Sequence, residues 1–296
     1  MRPSTQTLRD LLDRDEIVLV PGVGNPLEAR LVEQAGFEAV YMSGYATAAT
    51  VHGHPDIGMV AAAEMVANAE AIRLATRLPV ITDCDTGYGD VPNVRDIVRR
   101  MASVGADGVQ LEDQVWPKKC GHMEGKEVED AEVMERKIRA AVLAREGEVG
   151  PLIFARTDSR ATHGLAEAIE RSRRYAAAGA DVIFIDAPES REELRQITAA
   201  GVEAPIMVNI SETGKTPILP LPELQELGFA IVIYPTSALR VAARAIRGFL
   251  TDLRAEGDSR SWLDRMMPLD ELNAAVGIEA ERELENEVLS AAGSAN

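Results

Sequence analysis

Along most of the chain one alternation repeats. A stretch with helical spacing of apolar and polar residues ends in a small-residue turn, often with glycine. A run of about four to eight β-branched or aliphatic residues follows. The clearest instances are Gln34-Ala-Gly-Phe-Glu-Ala-Val-Tyr-Met-Ser43, Val104-Gly-Ala-Asp-Gly-Val-Gln-Leu-Glu-Asp113, Ala178-Gly-Ala-Asp-Val-Ile-Phe-Ile-Asp186 and Leu227-Gly-Phe-Ala-Ile-Val-Ile-Tyr234. Glycine closes a helix through the left-handed turn, and an unbroken apolar run after it reads as a parallel strand buried on both faces. Four further strands fall between these, at Ile17–Gly22, Pro79–Asp85, Leu152–Asp158 and Pro205–Ile210. Eight strands, each trailed by a helix-length segment, predict an α/β fold of the (β/α)8 TIM-barrel type rather than an open sheet.

After the eighth strand, Ser237–Arg254 reads as a long helix of Ala, Leu and Arg. Helical sequence rich in Glu continues past Trp262, Leu263, Met266 and Met267. The reading assigns residues 1–258 to the barrel and 259–296 to a C-terminal helical extension. A complete barrel leaves the extension's apolar face needing another surface, on its own barrel or on a neighbouring subunit. No Gly/Ser-rich linker separates the two parts.

Composition narrows the partners. The 296 residues are 46% hydrophobic, enough for a barrel of about 250 residues. No window approaches the ~18 uninterrupted apolar residues of a membrane span. The N-terminus lacks the apolar core of a signal peptide. A soluble, cytoplasmic protein without membrane contact is expected. With 48 acidic and 31 basic residues the net charge is −17, which repels phosphate backbones and disfavours nucleic acid. If the substrate is a carboxylate, local cations or a metal must hold it. The two cysteines, Cys84 and Cys120, are too few for a disulfide framework and suit a reducing compartment.

In parallel barrels the chemistry sits at the C-terminal strand ends. Here those ends carry Ser43-Gly44-Tyr45, Asp83-Cys84-Asp85, Glu112-Asp113, Arg156-Thr-Asp158, Asp186 and Asn209, and the loop after strand two carries His52, His54 and Asp56. Neighbouring carboxylates with few histidines fit a hard, oxygen-seeking cation such as Mg²⁺, with Mn²⁺ as the alternative. The competing reading makes Asp83, Asp85 and Glu112 ordinary caps of the following helices. Strand alternation places both acids of Asp83-x-Asp85 on one face, which favours a shared site.

The loop after strand four, Trp116-Pro-Lys-Lys-Cys-Gly-His-Met-Glu-Gly-Lys126, places two lysines beside a cysteine between glycines. Nearby cations lower a thiol's pKa and ready it for proton transfer or attack. A solvated basic loop with an incidental cysteine is the plainer alternative. One Cys and one His make a poor zinc site. Cys84 reads as a packed apolar residue, His163 as substrate contact or solvated surface, and Trp116 as a packing cap. Gly87 and Gly89 lack a dinucleotide layout.

Ser43-Gly44, Pro55-Asp56-Ile-Gly58, Asp83-Cys-Asp85-Thr-Gly-Tyr-Gly89, Glu112-Asp-Gln114, Lys118-Lys-Cys-Gly-His122, Ala155-Arg-Thr-Asp158 and Asn209-Ile resemble the motifs of the isocitrate lyase and phosphoenolpyruvate mutase superfamily. The likeness covers nearly the whole chain and is nearest the branch of methylisocitrate lyases, dimethylmalate lyases and carboxyphosphonoenolpyruvate mutases. The resemblance implies Mg²⁺ held by Asp85, directly or through water, with Asp56, Asp83 and Glu112 around it. It implies Ser43, Gly44 and the backbone beside Tyr45 as the site for the carboxylate of an α-oxo-acid half, and Arg156 on a substrate oxygen. Gly121, Asp186 and Asn209 complete the substrate site. Cys120 becomes the proton donor to the departing carbanion, with Lys118 and His122 shaping its loop. Either Tyr41 or a water on the metal is the base. A homotetramer with exchanged C-terminal helices follows from the same resemblance.

The activity so implied is retro-aldol cleavage of a small branched di- or tricarboxylate to a 2-oxo acid such as pyruvate. Phosphonate mutase, oxaloacetate hydrolase and decarboxylase chemistry are the alternatives. Methylisocitrate lyases resemble this chain but carry Gly in place of Tyr45 and Glu in place of Asp186, where Pro188 also stiffens the loop. Ile-Ser-Glu-Thr-Gly-Lys after Asn209 is unlike the loop of true isocitrate lyases, so isocitrate is disfavoured. Pro235 stands near a serine of oxaloacetate hydrolases, which disfavours hydrolysis. A barrel serving only as a binding protein would show an eroded site, and Asp83, Asp85, Glu112, Lys118, Cys120 and His122 are all present.

Overall fold

The structure, a computed structural model, describes residues 7–121, 123–145 and 150–293. Residues 1–6, part of the N-terminus read above for a leader, lie outside that set.

Eight parallel strands close into a barrel in sequence order: β1 (Val18–Val23), β2 (Val40–Met42), β3 (Val80–Asp83), β4 (Gly108–Glu112), β5 (Leu152–Thr157), β6 (Val182–Ile185), β7 (Ile206–Asn209) and β8 (Ile231–Tyr234). The seam is made by β1 and β8, with Val18 opposite Ile231 and Pro21 opposite Tyr234. The expected (β/α)8 barrel is the fold found.

Local chemistry accounts for the outer helices. The helix Val91–Ser103 buries Val94, Ile97, Val98 and Met101, which share one face at helical spacing. Asn25 and Ser190 cap their helices by accepting from the N–H groups of Glu28 and Glu193, satisfying donors that the first turn leaves open. Inside the barrel, Phe154, Phe184, Ile81, Tyr41, Met207 and Ile233 pack together, and Leu8 and Leu11 of the first helix join them. Gly108 makes this layer possible. A Cβ there would lie 2.7 Å from Cε2 of Phe154 and 3.3 Å from Leu8.

The pattern misplaced one detail that matters. β3 stops at Asp83, and Asp85 lies beyond it with φ +47. Strand alternation therefore does not align the two acids. A turn does, in which the Asp85 N–H donates to Asp83 Oδ1 at 3.2 Å. Short helices at Gly44–Thr47 and Ser159–His163 also replace what read as loops.

The chain forms two compact units, residues up to Arg240 and residues from Val241 onward. The expected boundary at 258/259 follows the helix Ser237–Glu256, near whose start the units divide. In the second unit, Trp262 packs edge-on to Phe249 at 5.8 Å and donates its indole N–H to Asp252 at 2.8 Å. Leu250, Leu263, Leu269, Leu284, Val288 and Leu289 of this unit are exposed. Among the described residues, no helix is long and apolar enough to cross a membrane.

Candidate active site

A cavity of about 210 Å³ opens at the C-terminal ends of the strands. Among the residues named from sequence, Tyr41, Ser43, Tyr45, Asp56, Asp83, Lys118, Cys120, Gly121, Arg156, Asp186 and Asn209 line it. Gly44 and Asp85 border a small void beside it together with Asp56. Glu112 is buried at the end of β4. His122 lies outside the described residues. His52, His54 and His163 do not line the cavity. Trp116 is a packing residue, with its ring against Gly58 and Tyr88. Cys84 is wholly buried in the core between sheet and helices, and neither cysteine is in a disulfide.

On one side four carboxylates gather. Asp83 accepts from the Gly44 N–H at 3.2 Å and from Gln110 at 3.4 Å. Gly44 permits that approach, since a Cβ there would stand 2.9 Å from Asp83 Oδ2. Lys118 reaches down from its loop to pair with Asp56 and, at 2.8 Å, with Asp85. Burial works against the Lys118 charge, but Asp85, Asp56, Glu112 and Asp83 outweigh it and hold the ammonium well above the ordinary lysine range. Burial pushes Asp85 up to about 6 against the pull of Lys118, and lifts Glu112 well above the usual carboxylate range.

Glu112 Oε1 is buried and accepts no hydrogen bond from the described residues, while Asp85 Oδ1 meets the Lys118 ammonium. A buried carboxylate oxygen left without a donor is costly unless a cation or a water meets it. Among the described residues, no three acids, histidines or cysteines already converge as a ligand cage. A cation that keeps most of its waters and takes one or two protein carboxylates fits such a set.

On the other side lies a charge network. Arg156, the register partner of Glu112, grips Asp158 with two hydrogen bonds of 2.8 and 2.9 Å. It also faces Glu112 at 3.4 Å and Asp186 at 3.3 Å, and lies over the Phe184 ring. Burial opposes its charge, but Asp158, Asp186 and Glu112 hold it well above its ordinary value. Asp158 is kept well below the carboxylate range, because Arg156 and Lys126 overcome its desolvation. Burial, aided by Asp83, pushes the Tyr41 phenol well up, a state that donates a hydrogen bond. Asn209 Oδ1 is buried with no donor among the described residues.

Sequence reasoning did not single out Phe184, Ser211, Thr213 and Arg240, which also line the cavity. Arg240 bonds Glu212 at 2.9 Å and Thr213 at 3.1 Å. Its one signal is a cation in the first turn after the last strand. Asp158 and Lys126 stand inside quoted motifs, but the contact between them joins residues 32 apart in the chain.

The family model described as phosphoenolpyruvate phosphomutase matches residues 8–254. 2,3-Dimethylmalate lyase of Eubacterium barkeri is 43% identical over 281 residues, covering 94% of this chain and 96% of the relative. 2-Methylisocitrate lyase of Aeropyrum pernix is 41% identical over 270 residues, covering 91% and 86%. A crystal structure of 2,3-dimethylmalate lyase, described as a PEP mutase/isocitrate lyase superfamily member, superposes with a TM-score of 0.91 at 37% identity, covering 97% of this chain and 96% of that one.

Proposed function

The chain belongs to the phosphoenolpyruvate phosphomutase family, and from that premise we propose that it is a Mg²⁺-dependent carbon–carbon lyase. Its substrate is a small branched 2-hydroxy acid of the dimethylmalate or methylisocitrate kind, and its products are a 2-oxo acid such as pyruvate and a second carboxylate. One observation carries this reading: a single cavity places a carboxylate cluster, the Arg156 guanidinium and the Cys120 loop around one space.

Asp85 would hold the cation, with Asp56, Asp83 and Glu112 around it, and the buried Glu112 oxygen without a donor among the described residues supports that assignment. Bound there, a divalent ion supplies charge that lowers the pKa of the substrate hydroxyl. Ser43, Gly44 and Tyr45 receive the carboxylate of the oxo-acid half. Arg156, already desolvated, orients a substrate oxygen, and Asn209 takes a donor from the substrate. Arg240, also on the cavity wall, is the cation for a second carboxylate. Tyr41 or a water relays the hydroxyl proton. As the C–C bond breaks, its electron pair stays on the departing carbon and the hydroxyl carbon becomes a carbonyl. Cys120 delivers a proton to that carbon, balancing the one lost from the hydroxyl. A general acid so placed contributes about 10²–10⁴-fold. Lys118 and His122 shape its loop.

The exposed apolar side chains of the second unit call for a covering surface and support a homotetramer with exchanged C-terminal helices; a cytoplasmic location is part of the same proposal. Light scattering of the intact chain and of a chain ending at residue 258 tests the assembly; a tetramer in both overturns the exchange.

To test the activity, protein and Mg²⁺ are incubated with 2,3-dimethylmalate, 2-methylisocitrate, 2-methylmalate and oxaloacetate. The 2-oxo acid is followed by coupled reduction. Release of pyruvate from a branched hydroxy acid, abolished by EDTA and strongly reduced in Cys120→Ser, is the expected result. Oxalate and acetate from oxaloacetate alone would make the enzyme a hydrolase. Silence across the panel would overturn the substrate class.

A further inference from the structure

The loop motif ends in a lysine to which the chemistry above gives no part. Lys126 is buried, and its ammonium makes three contacts. It donates to the Gly121 carbonyl, to Asp158 Oδ1 at 2.8 Å, and faces Asp186 Oδ2 at 3.4 Å. An ammonium has three protons, so this tripod uses all of them. We propose that Lys126 is a positioning residue that ties the backbone next to Cys120 to the ends of β5 and β6.

Three observations carry the assignment. First, Gly121 comes down onto the charge network without room for a side chain. A Cβ there would sit 2.1 Å from Asp186 Oδ2 and 2.6 Å from the Arg156 guanidinium. Second, the loop's other lysines hold other places. Lys118 anchors on Asp56 and Asp85, while Lys119 turns to the Gly125 carbonyl on the exposed side. Cys120 and Gly121 thus lie between one anchor on the carboxylate cluster and one on the β5–β6 side. Third, Asp158 accepts from Lys126 and Arg156 together. The group that orients the guanidinium also locates the thiol's loop.

A glycine-flanked loop has many alternative conformations, and a buried tripod selects one of them. Lysine suits the task because its compact ammonium reaches three acceptors from one atom, where a planar guanidinium presents a fork. The tether is a matter of loop geometry. Its effect on turnover rests on the reading of Cys120 as proton donor.

The test separates the two. Full-length Lys126→Met and Lys126→Arg are treated with iodoacetamide in the presence of Mg²⁺ and oxalate, and modification of each cysteine is followed by peptide mass spectrometry. Cys84, 0% exposed, serves as the fold control. Lys126→Arg keeps a cation against Asp158 and carries the test if the methionine variant does not fold. Alkylation of Cys120 about tenfold faster than in the parent protein is expected, with kcat lowered about 100-fold and KM within about threefold, as for a reacting group displaced by an ångström. Unchanged alkylation in a folded variant overturns the tether. Faster alkylation with unchanged kcat supports the tether and overturns Cys120 as the acid.

Discussion

Adding a single methyl group at Gly121 tests how closely the loop must sit. A Cβ built there lies 2.1 Å from Asp186 Oδ2, against the 3.4 Å of ordinary contact, so something must retreat by roughly 1.3 Å. Neither neighbour is free to do so. Asp186 is pinned by Lys126 and Arg156, and Arg156 by its two bonds to Asp158. The loop must lift instead, carrying Cys120 about an ångström from the reacting carbon. Misplacement on that scale costs on the order of 100-fold in rate, or about 2.7 kcal/mol of barrier. Gly121 does not adopt a positive φ, so alanine adds no backbone strain and the fold should persist. Steady-state kinetics with the branched acid, paired with thermal unfolding by circular dichroism, read both quantities. The expected result is kcat down about 100-fold at nearly unchanged Tm. A Gly121→Ala enzyme that keeps kcat within threefold at unchanged Tm refutes the argument that the loop must touch the Arg156–Asp186 pair.

Asp158→Asn removes the carboxylate shared by Arg156 and Lys126 and leaves two buried cations short of charge; urea unfolding should show a loss of about 3 kcal/mol. For the metal-free protein, Asp85 gives a pH signature. Its folded pKa is raised by burial to about 6, so between about pH 4 and 6 the folded state binds more protons than the unfolded one, and its contribution to stability falls as pH rises. The stability of the parent relative to Asp85→Asn, both in EDTA, should therefore decline across that window; a rise would contradict the burial argument. Phe154→Ala opens a hole in the barrel interior beside Gly108 and should cost about 3–5 kcal/mol by urea unfolding, with little change in KM.

The strands were legible because their signals are local. Glycine turns followed by unbroken β-branched runs state where a doubly buried strand begins. Eight of them with helix-length spacers leave few ways to close, so the barrel and its strand-end acids were readable from the chain. The loop's lysines and thiol stood out in the chain, and Lys118, Cys120 and Gly121 do line the cavity.

Other features depended on closure. The pairing of Asp83 with Asp85 comes from a left-handed turn that no alternation rule predicts. Lys126 reads as one more surface lysine until β5 and β6, 32 and 60 residues further on, bring Asp158 and Asp186 beneath it. Arg240 reads as an ordinary helix residue until closure of the barrel puts it on the cavity wall with Ser43 and Tyr45. The sequence by itself determined the elements, the barrel and which residue types would face the open end, since these follow from local sterics and from burial of apolar runs. Only the tertiary structure decided which charges meet. Distances across a barrel mouth are set by the stagger and tilt of strands far apart in the chain, and a buried ion's energy changes steeply over an ångström.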